Sequence, residues 1–183
     1  VITWLQTEQL LPTAYSPISI SVDSGGYPLV CFAAATYRST TKDGTWTTDA
    51  AYTKYVNPDY PSSAIGLTSG KVAFIYTSTP TIRRLYAIRW TGSAWGSVAD
   101  SGYTLAGTPY FSAVGQDDDV HIIALEQTSS DIWYTRYSYG NNSFWGETTI
   151  YAAATSTSIP AITMDSDTND LWVFWENDPT DDH

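Results

Sequence analysis

Pro61-Ser62-Ser63-Ala64-Ile65-Gly66-Leu67-Thr68-Ser69-Gly70-Lys71-Val72-Ala73-Phe74-Ile75-Tyr76 is the stretch that decides the fold. A short run of small side chains, 63–67, leads through a Gly-containing turn into a second run, 71–76, that is almost wholly apolar. Two such runs around a tight turn spell a β-hairpin. The continuous apolar character of 72–76 belongs to a strand covered on both faces. Downstream, Arg84-Leu85-Tyr86-Ala87-Ile88-Arg89-Trp90 alternates polar and apolar positions as a third strand. After the turn at 91–94, a fourth strand is expected to begin at Trp95.

This four-strand unit recurs. A proline opens it at Pro17, Pro61, Pro109 and Pro160. The apolar second strand begins at Leu29, Val72, Val120 and Leu171, and a tryptophan marks the fourth strand at Trp4, Trp46, Trp95 and Trp145. Proline to apolar strand takes 12, 11, 11 and 11 residues, tryptophan to the next proline takes 13, 15, 14 and 15, and the prolines are 44, 48 and 51 apart. A period in this range, with several strands per unit, predicts an all-β fold of β-propeller type with about four four-stranded blades. The blade segments are about 16–60, 61–108, 109–159, and a composite of 160–183 with 1–15, in which the Trp4 strand completes the blade opened at Pro160. The alternative is a part of a larger propeller. Strand a, rich in Ser, Ala and Gly, is expected nearest the axis, and the recurrent tryptophans are expected to pack between blades.

Composition agrees. The 183 residues include 14 Tyr and 8 Trp, and residues that favour pleated surfaces dominate over strong helix formers. The net charge of −11 argues against a nucleic-acid partner held through phosphates and against an anionic membrane surface. No apolar stretch approaches 18 residues, so no inserted span is expected. Cys31 has no second cysteine to pair with and reads as a small core residue.

The turn Ser39-Thr40-Thr41-Lys42-Asp43-Gly44-Thr45-Trp46 resembles a degenerate Asp box, with one residue missing between Asp and Gly. The other units keep only Gly92 with Trp95 and Gly140 with Trp145. On these residues the chain resembles the sialidase-like, Asp-box (BNR-type) propeller superfamily. Its strand-c pattern is also similar to that of six-bladed fucose-binding lectins. The resemblance implies a propeller and says little of function, because propellers host many activities. A sialidase would need converging arginines. Arg89 and Arg136 instead occupy equivalent places on their third strands, and no Arg-Ile-Pro motif is present.

Several residues are candidates for chemistry. Trp90, Trp133 and Tyr137 on the third strands offer rings for sugar stacking if they are exposed, with Arg89 and Arg136 beside them. They read equally well as packing between blades. Glu126 and Glu176 both follow a second strand and are the carboxylate pair for a glycosidase, against a reading as strand-end charges. Asp165, Asp167 and Asn169 have the spacing of the start of a Ca2+ loop. They lack its glycine and distal glutamate, so an Asp-rich turn is the competing reading and no cofactor is otherwise expected. Asn141-Asn142-Ser143 fits a glycosylation acceptor. His121 lies within an apolar strand, and no serine-hydrolase motif accompanies it.

The leading expectation is a non-catalytic recognition module, extracellular or on a virion or cell surface, whose partner is a glycan or a protein surface. A sialidase-like glycoside hydrolase and a structural propeller of a virion or secreted assembly are the alternatives.

Overall fold

The computed structural model describes residues 18–22, 26, 28–32, 35–39, 46–47, 62–77, 84–91, 94–104, 110–126, 129, 131–152 and 159–175. The first blade is β1 (Ile18–Val22), β2 (Pro28–Phe32), β3 (Ala35–Ser39) and β4 (Trp46–Thr47), paired in that order. The second is β5 (Ser62–Gly66), β6 (Val72–Thr77), β7 (Arg84–Trp90) and β8 (Ala99–Thr104). The third is β9 (Tyr110–Gln116), β10 (Asp119–Glu126) and β11 (Asp131–Ser138), with β12 (Ser143–Phe144) and β13 (Thr148–Tyr151) both on the edge of β11. The last sheet holds β14 (Ala161–Met164) and β15 (Leu171–Phe174). Every pairing among the described strands is antiparallel. The described residues therefore form a β-propeller arc of two four-stranded blades, a third whose outermost position is shared by β12 and β13, and two strands of another. The Trp4 strand of the composite blade lies outside the described residues. No helix among them is long and apolar enough to cross a membrane.

Two of the predicted strand starts shift. The second strands begin at or next to Leu29, Val72, Val120 and Leu171, as their spacing predicts. The tryptophans do not all open strand d. Trp95 forms only an isolated bridge to Trp90, four residues before β8, and Trp145 lies between β12 and β13. Trp95 packs edge-on against Trp90 at 5.5 Å. Trp145 is 53% exposed and lies under the Arg136 guanidinium, 4.2 Å from its ring centre, so packing between blades does not extend to it. Both tryptophans stand at the end of the c–d turn, where the Trp145 N–H donates to the Arg136 carbonyl at 2.8 Å and the pairing then breaks before β13, as it does between Trp95 and β8.

The alternation of side chains explains the core. Along β6, Ala73 and Ile75 face the third blade while Val72, Phe74 and Tyr76 face the other way, and both sets are buried. At the seam, Ile65, Ala73 and Ile75 of blade two meet Ile122, Ala124 and Tyr137 of blade three. Leu125 and Ile132, on the far face of blade three, pack with Tyr151 and Trp175. This is the sandwich of sheet on sheet that a fully apolar middle strand requires.

The inner strands approach closely. A Cβ added at Gly115 on β9 would stand 2.9 Å from the Gly66 carbonyl oxygen of β5. Side-chain hydroxyls bridge the gap between blades where no backbone ladder runs. Ser21 of β1 accepts the Gly66 N–H at 3.3 Å, and Ser112 of β9 accepts the Ile162 N–H at 3.2 Å. The small polar residues of strand a are there for this contact. The a–b turns also latch. Thr68 donates its N–H to the Asp117 carbonyl at 3.0 Å and its hydroxyl to Asp118 at 2.7 Å, and Lys71 pairs with Asp118. Hydrogen bonds from Lys71 and then Thr68 hold the Asp118 carboxyl below its usual range.

Two phenols report on the seams. Burial pushes the Tyr76 phenol up from 10.0 to about 12, with Tyr86 and Asp100 adding to it, and burial likewise pushes the Tyr137 phenol up. The unfolded chain therefore loses these protons first, so unfolding is favoured as the pH rises. The stability contributed by Tyr76 is complete below pH 10 and is lost as the pH climbs through about 12. The urea midpoint should hold constant up to that window and fall within it, and Tyr76→Phe should blunt the fall. A midpoint flat across the window would contradict the burial of these rings.

Candidate functional site

The predicted aromatic candidates sit inside the blades. Trp90 is 7% exposed, Trp133 5% and Tyr137 0%. Tyr137 and Trp133 belong to the seam between blades two and three, and Trp90 to the opposite face of blade two. The Tyr137 hydroxyl donates to Asn142 Oδ1 at 2.7 Å. The expectation that Trp90, Trp133 and Tyr137 are exposed is therefore corrected for all three, and Trp133 alone lines a cleft. On a strand between two blades, both faces are covered, so an aromatic residue at either parity is buried.

Arg89 and Arg136 occupy equivalent positions and are not brought together. Val72 lies opposite Trp90 in blade two and Val120 opposite Tyr137 in blade three, so the residue before each, Arg89 and Arg136, faces the following blade. Arg89 donates to the carbonyls of Tyr139 at 2.5 Å and Gly140 at 2.9 Å and lies over the Tyr139 ring. It fastens blade two to the c–d turn of blade three. Arg136 pairs with Asp119 at 3.3 Å and covers Trp145. Both guanidinium groups have structural partners.

Asp165, Asp167 and Asn169 form the β14–β15 turn. Asp165 Oδ1 accepts the Asp167 N–H at 2.9 Å, its carbonyl accepts the Asn169 N–H at 2.8 Å, and Asn169 has φ 62°. Backbone hydrogen bonding from Asp167 holds the Asp165 carboxyl below its usual range. This is the geometry of an Asx turn closing a hairpin. No three acidic, His or Cys side chains among the described residues stand together as a metal site. His121 is buried, its Nδ1 2.6 Å from the Tyr134 hydroxyl, and burial lowers its pKa.

Glu126 is brought into a site with Asp131 and Glu147. Glu176 lies outside the described residues. A cleft of about 270 Å3 opens between the outer strand of blade two and the face of blade three. It is lined by Gly102 and Tyr103 on one wall and by Glu126, Asp131, Trp133, Glu147 and Thr149 on the other. The register explains the second wall. Glu126 at the end of β10 lies directly opposite Asp131 at the start of β11. Trp133, two residues along, lies opposite Thr149 on β13. Residues two apart and residues directly opposite share a face. Ser129 donates its hydroxyl to Glu126 at 2.8 Å, holding that carboxylate.

The first wall exists because β8 is irregular. Its pairing with β7 slips between Arg84 and Tyr86, and Gly102 takes φ +77°. A Gly in this conformation is the mark of a bulge, which re-aims the following side chain. Asp100 Oδ1 accepts the Gly102 N–H at 2.8 Å and Ser101 Oγ accepts the Tyr103 N–H at 3.2 Å, in place of ladder bonds. Tyr103 then crosses the seam. Its ring meets Trp133 edge-on at 5.5 Å, and its hydroxyl donates to the Trp145 carbonyl at 3.3 Å while accepting the Glu147 N–H at 2.9 Å. Thr135 donates to that same Trp145 carbonyl at 2.8 Å. The cleft is thus a braced notch with aromatic edges at its base and three carboxylates on one wall.

The residues of this wall are not repeated in blade two. In blade two, the positions equivalent to Asp131 and Trp133 are Arg84 and Tyr86, and Arg84 pairs with Asp100 at 2.9 Å. Sequence reading missed Tyr103, Asp131, Glu147 and Thr149. The signal available was this departure from the repeat.

No protein-family model matches the chain, and no curated protein does. Among solved structures it is similar to a variant of the Aleuria aurantia lectin in complex with alpha-methyl-L-fucoside. The TM-score is 0.57 and the identity 13%, over 87% of this chain and 53% of that one. A structure of NanB with Optactamide gives a TM-score of 0.49 and 13% identity, over 80% of this chain and 23% of that one. The chain spans about half the length of the lectin it matches. At this identity the likeness to the lectin shows the fold, which is that of a β-propeller.

Proposed function

We propose that this propeller is a non-catalytic recognition module that binds carbohydrate in the cleft between its second and third blades. The observation that carries the reading is the pairing of aromatic edges, Tyr103 and Trp133, with the acceptor wall of Glu126, Asp131, Glu147 and Thr149. A pyranose offers an apolar C–H face and a rim of hydroxyl donors, which suit an aromatic edge and carboxylate acceptors respectively. The lectin with which the fold is shared holds alpha-methyl-L-fucoside, which makes a neutral monosaccharide the first ligand to try. Binding is favoured over hydrolysis because all three carboxylates belong to blade three, while Gly102 and Tyr103 face them. A glycosidase places its two carboxyl groups on either side of the scissile bond.

The test is calorimetric titration of the chain with a panel of neutral, amino and acidic monosaccharides, repeated on Thr149→Trp. The Thr149 side chain is exposed on an edge strand, so an indole there should fill the cleft without disturbing the core. Saturable binding by the wild type, lost by at least about tenfold in the variant, is the expected result. Absence of binding across the panel, or binding unchanged in Thr149→Trp, would sink the assignment to this cleft.

A further inference from the structure

The cleft between blades two and three carries a charge pattern as well as a shape. Three of its seven lining residues, Glu126, Asp131 and Glu147, bear carboxylates, and none of the seven is Lys, Arg or His. Elsewhere in the same two blades, carboxylates meet cations of the protein itself: Asp118 meets Lys71, Asp100 meets Arg84 and Asp119 meets Arg136. The lining of the cleft supplies no such cation.

The fold crowds these charges together. Glu126 lies directly opposite Asp131 across β10 and β11. Residues in that relation have Cβ atoms about 4.5–5.5 Å apart. The Ser129 hydroxyl donates to Glu126 Oε2 at 2.8 Å. That bond orients the carboxylate without cancelling its charge, and a carboxylate has about four lone-pair sites to fill. Glu147 donates its N–H to the Tyr103 hydroxyl at 2.9 Å, so the brace uses its main chain and not its carboxylate. An acidic strand end alone is an ordinary solvated surface. Here the acidic wall faces a cavity of about 270 Å3, with Tyr103 and the nearly buried Trp133 meeting edge-on at its base. Such a notch takes a ring with an apolar face. Its negative potential, in a chain of net charge −11, favours a ring that also bears a positive charge.

We infer that the cleft, on the carbohydrate-binding reading above, selects an amino sugar with a free, protonated amine over its neutral parent and over acidic sugars. An alkylammonium group carries three N–H donors and no acceptor, which suits a wall made of acceptors. Its bonds to carboxylates are charge-assisted and roughly twice as strong as those of a neutral hydroxyl. N-acetylation removes the charge, and a uronic acid brings a like charge to the wall, so both lose affinity.

Calorimetric titration of the full 183-residue chain tests this at about pH 6, where aliphatic amines are protonated. The ligands are D-glucosamine, D-galactosamine and D-mannosamine, each beside its parent hexose and its N-acetyl form. At least one amino sugar should bind about tenfold or more tightly than both of its matched forms. Sodium chloride should weaken binding of that amino sugar and leave the parent hexose nearly untouched, because only the first is held through charge. Glu147→Gln should shrink the ratio of amino-sugar to hexose affinity by about threefold or more. The substitution keeps the Glu147 N–H, and the salt series on the wild type carries the same test should the variant misfold. Parent hexoses that bind as tightly as the amino sugars overturn the charge selection and leave carbohydrate binding in the cleft standing. Absence of binding by every sugar removes both. An amino-sugar preference that survives salt and Glu147→Gln overturns the inference, since charge would not be its source. Methylammonium chloride binding as tightly as the amino sugar overturns it too, because the wall would then hold any small cation.

Discussion

Replacing Gly115 by alanine should lower the melting temperature by roughly 6–12 °C, from a loss of about 3 kcal/mol at about 2–4 °C per kcal/mol for a chain of this size. The backbone of Gly115 is not in the positive-φ region, so alanine meets no torsional penalty there. The cost is purely steric. The new methyl carbon would stand 2.9 Å from the Gly66 carbonyl oxygen and 2.9 Å from side-chain carbons of Ile65 and Leu67. Ile65 and Leu67 are themselves buried in the seam, and the carbonyl belongs to an inner strand. Relief requires β5 and β9 to part, which would also stretch the Thr68–Asp117 and Thr68–Asp118 bonds. Gly146→Ala is the control. Nothing lies within 4 Å of its would-be Cβ and its φ is ordinary, so alanine should stabilise slightly, by about 0.4–1 kcal/mol. Equal melting temperatures for the two variants would show that the inner strands do not touch as described.

The second large effect is expected in the cleft, where binding and stability should move in opposite directions. Glu126 and Asp131 lie directly opposite each other across β10 and β11, with the same charge. Like charges in that relation destabilise a sheet by about 0.2–1 kcal/mol. The double variant Glu126→Gln, Asp131→Asn removes the repulsion while keeping shape and hydrogen-bonding capacity, so its melting temperature should equal or exceed that of the wild type. Ligand affinity should fall by more than about tenfold, since a hydrogen bond to a charged acceptor is worth about 1.5–3 kcal/mol. A site maintained against its own stability is the pattern of function. If the double variant binds sugar as the wild type does, these carboxylates are not the acceptors. If it melts markedly lower, their role is structural.

The repeated hairpins are legible in the order of residues alone. Proline, turn and apolar strand recur at near-constant spacing because each hairpin's burial pattern is local, carried within about 16 residues of one strand pair. The β6 and β10 strands, buried at every apolar position, could be read from composition alone. Exposure could not. Trp90 and Tyr137 alternate like rim residues, yet their faces are covered, and coverage depends on a neighbouring blade that strand periodicity does not encode. Trp145 errs in the other direction: it keeps the repeat position of Trp95 but lies exposed beneath Arg136.

The site arises from the docking of one blade on the next. The cleft draws Gly102 and Tyr103 from one blade and Glu126, Asp131, Trp133, Glu147 and Thr149 from the next, and the seam brings them together. A bulge at Gly102 aims Tyr103 across that seam, and a single glycine in a strand does not announce its φ. Local chemistry fixes which residues form strands. Which side chains share a surface is fixed by how one sheet docks on another, and that docking is a property of the packed faces together rather than of either strand's sequence.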